Sequence, residues 1–237
     1  MQIQLNPQLS FSALPIADTP YQVFIVDDFL QGFDQLTAYA ESTAYFGKQG
    51  ADGTLFPGVR DEMPAPYYRA LTALLELLAE KAQHGAHFAH HTLAKSWLSK
   101  VTVGPKQLHP MQKMPHFDAL GPENYAAVHY LKSNHLGGTS FYRYRDTQQM
   151  SFYHKDESTI RTMVARVNEE IEPNAGYIGK GNHLFERAFQ VDAKPNRIIL
   201  YPGNVLHSAD ITEQVSFDPK SPDNRTSVNS FFKVRSV

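Results

Sequence analysis

Cysteine is absent from all 237 residues. That removes disulfides, thiolate nucleophiles, sulfur-ligated zinc and iron–sulfur centres, so any metal must be held by histidine, carboxylate or carbonyl oxygen. Charge imbalance is nearly absent too: 22 Lys and Arg against 24 Asp and Glu leave a formal net charge of -2. No basic field calls for nucleic acid. No apolar run is long enough to cross a bilayer, and the opening MQIQLNPQLS lacks a charged stretch followed by an apolar one. A cytoplasmic protein without a membrane partner is expected. Internal repeats and low-complexity tracts are missing as well. What is present is 42% apolar and 19% charged residues, an ordinary globular composition on a chain long enough to bury a large core.

The chain has two textures. YQVFIVDDFL (21–30) is a β-rich apolar run, and Asp27 or Asp28 is placed to cap a helix through QGFDQLTAYAES. GADGTLFPGVRDEMPAP (50–66) is rich in Gly and Pro and reads as loop. YYRALTALLELLAEKAQ (67–83) carries leucines at 71, 74, 75 and 78, the spacing of one apolar helix face. From about residue 94, short β-branched or aromatic runs alternate with Gly, Pro and Asn: SWLSKVTV, NYAAVHYLK, GTSFYRYR, HLFERAFQVD, NRIILYP and RTSVNSFFKV. Such texture predicts a sandwich or jelly roll. DESTIRTMVARVNEEIE (156–172) interrupts it as an amphipathic helix. The expected fold is mainly β with flanking helices: a cupin-like double-stranded β-helix, with the N-terminal helices packed on one sheet. Residues 1–237 are expected to form a single domain, with 1–93 as support and 94–237 as the β core.

MPHFD (114–118) places His116 and Asp118 two apart, and in a strand alternate residues share a face. Two histidines and one carboxylate form a facial ligand set for Fe(II) with open positions. The second histidine must come from a later strand, and NRIILYPGNVLHSAD offers His207. The competing reading of His116 and Asp118 is a turn before NYAAVHYLK. On RTSVNSFFKV, Arg225, Ser227 and Asn229 share one face. A guanidinium there matches a carboxylate with two parallel hydrogen bonds; the alternative is a surface arginine paired with Asp223. Tyr130 stands on the strand after the His-x-Asp pair, either sharing an anion with Arg225 or filling the core.

The order HFD, HYLK, GGTSFY, YPGNVLH, RTSVNSFF resembles the 2-oxoglutarate and Fe(II)-dependent oxygenases, in particular the prolyl-hydroxylase-like branch. MPHFD together with RIILYPGNVLHSADI is similar to an uncharacterised bacterial family of such proteins, DUF6445. The resemblance covers about residues 94 to 234. It implies iron held by His116, Asp118 and His207, and 2-oxoglutarate held by Arg225 and Tyr130, with Ser227 and Asn229 as small polar contacts. It implies hydroxylation of a small-molecule or peptide substrate with release of succinate and CO2. A homodimer is compatible with it. The rival is a jelly-roll module that binds metal or ligand without turnover. A cupin-like metalloenzyme is a third reading, although the extra histidines and glutamate typical of cupins are not in evidence.

Other features carry less. His84, His87, His90 and His91 in HGAHFAHH read as a solvated helix end. Arg60 either reaches over the barrel mouth or pairs with Asp61 or Glu62. Trp97 reads as core.

Overall fold

The computed structural model describes residues 1–51 and 53–235. Mainly β, it has twelve strands and three α-helices among the described residues. Two short strands, β1 (Gln4–Leu5) and β4 (Leu30–Gln31), pair with each other. The others fall into two antiparallel sheets. The larger has seven strands, here named in spatial order. β2 (Ser10–Pro15) pairs with β3 (Gln22–Asp27), then come β10 (Ile198–Pro202), β7 (Asn124–Tyr130), β12 (Thr226–Val234), β6 (His91–Val101) and β5 (Gly58–Glu62). The smaller is β11 (His207–Ala209), β8 (Thr139–Tyr144) and β9 (Phe185–Val191).

The central strands of the large sheet are covered on both faces, and alternation sorts their side chains. Tyr125 and Ala127 of β7, Ile198 and Leu200 of β10, and Val228 and Phe232 of β12 join one core cluster. Ala126, Val128, Tyr130, Ile199 and Tyr201 join a second, which also takes Phe141 and Val191 from the small sheet. The first cluster is closed by helices. In α2 (Ala65–Lys81) Tyr67, Ala70, Leu71, Leu74, Leu75 and Leu78 are buried, a stripe at helical spacing. Leu36 and Ala40 of α1 (Phe33–Ser42) complete it. Burying a leucine of this kind is worth roughly 1.5–3 kcal/mol, and Leu75→Ala would cost about 2–5 kcal/mol. α3 (Glu157–Glu170) lies over the small sheet, where Met163 and Val167 meet Tyr142, Tyr144 and Phe185.

Three local expectations need correction. Neither Asp27 nor Asp28 caps α1: Gly32 holds the N-cap in a left-handed conformation, and Asp27 accepts two hydrogen bonds from the Arg197 guanidinium at 2.7 and 3.0 Å. The 50–66 stretch is not all loop, because Gly58–Glu62 forms edge strand β5 against β6; five residues among Gly and Pro give little pattern to read. MPHFD is not a strand either. His116 makes one isolated antiparallel bridge, to His207.

Candidate metal centre and adjoining cavity

Backbone bonds bring the two ligand-bearing segments together. The His116 amide donates to the His207 carbonyl at 2.9 Å, and the His207 amide donates back at 2.8 Å. The Asp118 amide donates to the Gly203 carbonyl at 2.6 Å, just after the β10 strand ends in Pro202. One ligand atom from each of His116, Asp118 and His207 then lies within 4.8 Å of the others. Asp118 Oδ1 is 3.7 Å from His116 Nε2, and Oδ2 is 3.5 Å from His207 Nε2.

The donor set suits a divalent metal. His207 Nδ1 is 2.8 Å from the Val205 carbonyl. A carbonyl only accepts, so Nδ1 carries the proton and Nε2 presents its lone pair to Asp118. Burial lowers the His207 pKa to about 4. Partial burial, helped by the neighbouring His207, lowers that of His116 as well, against the pull of Asp118. Water reaches 54% of the His116 side chain but only 5% of His207, so His207 feels the loss of solvent more fully. Burial also raises the Asp118 pKa, with His116 and Arg60 opposing. Both rings are neutral at pH 7, the state that ligates metal.

All three open onto one cavity of about 670 Å³. Arg225 lines it as well, 5% exposed. One Nη donates to the Gly138 carbonyl at 2.9 Å, while the buried Nε has no hydrogen-bond partner. Burial lowers its pKa, and Asp223 instead stands 3.7 Å from His135. Gly137 makes the turn possible: its φ is +86°, and a Cβ would collide with the Asp210 carbonyl. Thr139 then lines the cavity, and it pairs with Ala209 in the ladder that pairs Phe141 with His207. Two strand residues, roughly 7 Å, thus separate the His207 rung from the rung beside Gly138. The loop SFDPKSPDN does not disturb this arrangement. Asn224 donates to the Val101 and Ser216 carbonyls, and β12 meets β6 in one register from Thr226 to Phe231, with an irregularity only before Phe232.

Of the two readings of Tyr130, its burial favours the core. It lies opposite Ser227 in the ladder, but it is 2% exposed and does not line the cavity. Its hydroxyl is 2.7 Å from Thr139 Oγ1, so Thr139 stands between it and the open space. Ser227 donates to Asn229 at 3.0 Å, and Asn229 lines the cavity. Two residues escaped notice and a third was read as core. Thr139 lines the wall, and Tyr201 does so with its ring 4.7 Å from that of His207. Trp97, read as core, lines it too; it lies opposite Asn229 in the ladder. The alternation of RTSVNSFFKV marked the correct face, but only the strand order shows what pairs with it.

The remaining histidines stand apart from this centre. His129 points to the helical side, its Nδ1 3.4 Å from the Tyr67 hydroxyl and its Nε2 3.3 Å from Asn196 Oδ1. The four histidines of HGAHFAHH form no converging ligand group among the described residues. Arg60 lines the cavity, while Asp61 accepts from Tyr39 and Glu62 pairs with Lys95.

A family model, "Family of unknown function (DUF6445)", matches residues 7–232. No curated protein matches. Among solved structures, the non-heme alpha ketoglutarate dependent epimerase SnoN from nogalamycin biosynthesis is similar at 14% identity and TM-score 0.47, covering 89% of this chain and 78% of that one. HygX from Streptomyces hygroscopicus, with nickel and 2-oxoglutarate bound, is similar at 12% identity and TM-score 0.45, covering 89% and 82%. An N-substituted L-amino acid dioxygenase from Burkholderia ambifaria AMMD is similar at 10% and 0.42, covering 90% and 82%. Likeness at this level carries no chemistry across. Among the described residues, no helix is long and apolar enough to cross a membrane.

Proposed function

The chain belongs to the DUF6445 family, and on that premise we propose that it is an Fe(II)- and 2-oxoglutarate-dependent hydroxylase. One observation carries this: a single cavity holds both a two-histidine, one-carboxylate ligand set and a buried arginine with an unpartnered Nε. His116 and His207 would hold the metal through Nε2, and Asp118 through its carboxylate. When bound, iron would activate dioxygen, one oxygen atom going into succinate as 2-oxoglutarate loses CO2 and the other into the hydroxylated substrate.

The chain's own residues do the positioning. A dicarboxylate with its keto-acid end at the ligand set leaves a second carboxylate in a closed space, where an unpaired charge is costly. Arg225 meets it, and the Gly138 carbonyl holds the guanidinium in place. Thr139 offers a hydroxyl beside it, backed by Tyr130. The His207 tautomer is fixed by Val205, so no proton rearranges when the metal arrives.

In this reading the two sheets are a double-stranded β-helix of the prolyl-hydroxylase-like kind. Residues 1–93 support the 94–237 core within a single domain, and the protein acts in the cytoplasm. The substrate is a small molecule or peptide, with neither nucleic acid nor membrane as partner, and a homodimer is the assembly it allows. His207→Ala should abolish iron-dependent succinate production while leaving thermal unfolding of the metal-free protein nearly unchanged. Undiminished succinate from that variant would overturn the assignment.

A further inference from the structure

Beyond the ligand set and Arg225 the cavity wall is of a different character. Leu55, Phe56, Trp97, Met163, Val164 and Phe231 form much of it. Its charges are answered from within. A divalent metal would be balanced by Asp118 and one carboxylate of 2-oxoglutarate, and Arg225 by the other. Lys95 is matched by Glu62 at 2.6 Å. Arg60 is engaged by the chain itself, its guanidinium 4.2 Å from the centre of the Phe56 ring and one Nη donating to Thr54 at 3.2 Å. A charged substrate would have to take its partner from one of these arrangements.

One polar group in the same wall is only half committed. The Ser227 hydroxyl donates to Asn229 Oδ1 at 3.0 Å, which turns the Nδ2 donors away from Ser227, and no hydrogen bond uses them among the described residues. Gln112, the other amide of the wall, accepts from the His109 amide and donates to the Leu55 carbonyl. Asn229 stands opposite Trp97 in the ladder. The Arg225 guanidinium is held at Gly138, next to Thr139, whose hydroxyl meets Tyr130 in the Ser227 row. Asn229 lies two strand residues further on, roughly 7 Å, on the side of the apolar wall.

Taking the oxygenase reading as its basis, we propose that the substrate is an uncharged, compact, largely apolar molecule, its hydrocarbon body against Trp97, Phe231 and Met163 and one carbonyl oxygen on the Asn229 amide. An apolar wall rewards an apolar body and penalises unpaired polar groups. A neutral carbonyl answers the amide N–H donors without disturbing the charge pairs around it. The volume is in the range that holds a drug-sized ligand, enough for a co-substrate and one compact molecule.

Trp97 makes the test direct, because it is the chain's single tryptophan and its emission reports occupancy without turnover. The manganese-loaded protein, saturated with 2-oxoglutarate, is titrated with 2-adamantanone, 2-methyleneadamantane, adamantane-1-carboxylate and adamantan-1-amine, which share one skeleton and differ in one group. Both charged probes are expected to bind at least about tenfold weaker than the ketone. Asn229→Leu should weaken the ketone about fivefold, the scale of one neutral hydrogen bond, and leave the methylene hydrocarbon no weaker. Asn229→Val, a residue that strands accept readily, is the second variant, and circular dichroism shows which of them fold. A charged probe that matches the ketone overturns the proposal, as does a ketone that loses no more affinity than the hydrocarbon in a folded variant. So does a Trp97 emission that none of the four changes while calorimetry shows normal 2-oxoglutarate binding; the oxygenase reading then stands. A ketone affinity that depends on Asn229, in a protein that calorimetry shows not to bind 2-oxoglutarate, upholds the neutral pocket and sinks the oxygenase reading instead.

Discussion

The two faces of strand β12 make a natural comparison. On the helical side, Val228 and Phe232 sit among leucines of α2 and the rings of Phe88 and Tyr125. On the other, Arg225, Asn229 and Phe231 line a cavity, and a buried guanidinium nitrogen lacks a partner. The same strand therefore carries a finished surface and an unfinished one, one residue apart. His129 and His207 repeat the contrast. Both are buried, but His129 has neighbours at both ring nitrogens while His207 bonds backbone through one and presents the other. A complete set of partners marks structure, and an incomplete set marks a place for something else to bind.

The comparison breaks if each face does not fail in its own way. The largest effect should be Phe232→Ala, which opens a cavity on the finished face and costs about 3–5 kcal/mol of stability. Chemical denaturation measures it, and residual folded protein should still bind manganese. Arg225→Ala comes next. Removing one partner of a buried charged pair typically costs about 3–5 kcal/mol, so 2-oxoglutarate binding should weaken at least a hundredfold, about 3 kcal/mol. Calorimetry under argon with manganese reads this, and thermal unfolding should not move down, since no bound carboxylate is lost from the free protein. Wild-type affinity in this variant would show that the co-substrate lies elsewhere.

The third effect is a pH dependence, and its sign follows from burial. Burial lowers the His129 pKa to about 3, whereas an unfolded histidine titrates near 6.5. Below that value the unfolded chain takes up a proton that the folded chain refuses. Stability is therefore full above about pH 6.5 and falls as pH drops toward 3, by about 2–3 kcal/mol at pH 4.5 from this residue alone. His129→Phe should flatten that part of the profile, read by denaturation at a series of pH values. The smallest effect should be Tyr130→Phe. With Thr139 interposed, losing this hydroxyl should weaken 2-oxoglutarate by no more than about 1 kcal/mol; a loss as large as that of Arg225→Ala would put Tyr130 in direct contact.

What could be read in advance tracks how local the cause is. The α2 stripe, the inserted α3 and the alternation of β12 are properties of neighbouring residues, and each element lies where its pattern put it. The His-x-Asp spacing and the later histidine were legible as ligand types. Tyr130 was read as either an anion contact or a core residue, and its own strand could not decide between them, because the Thr139 that bonds its hydroxyl arrives through a different sheet. Tyr201 was missed, and Trp97 read as core, for a similar reason. Their strands, β10 and β6, flank the central β7–β12 pair only through pairings between residues far apart in sequence.

The bridge between His116 and His207 has a consequence for how the protein would live with scarce metal. Its two hydrogen bonds, and that from Asp118 to Gly203, are made entirely by main chain. They join segments separated along the chain by β7, β8, α3, β9 and β10. The two ligand-bearing segments are therefore tied by main-chain bonds that need no ion. On that ground a copy without metal would keep its fold, and chelation should leave thermal unfolding nearly unchanged.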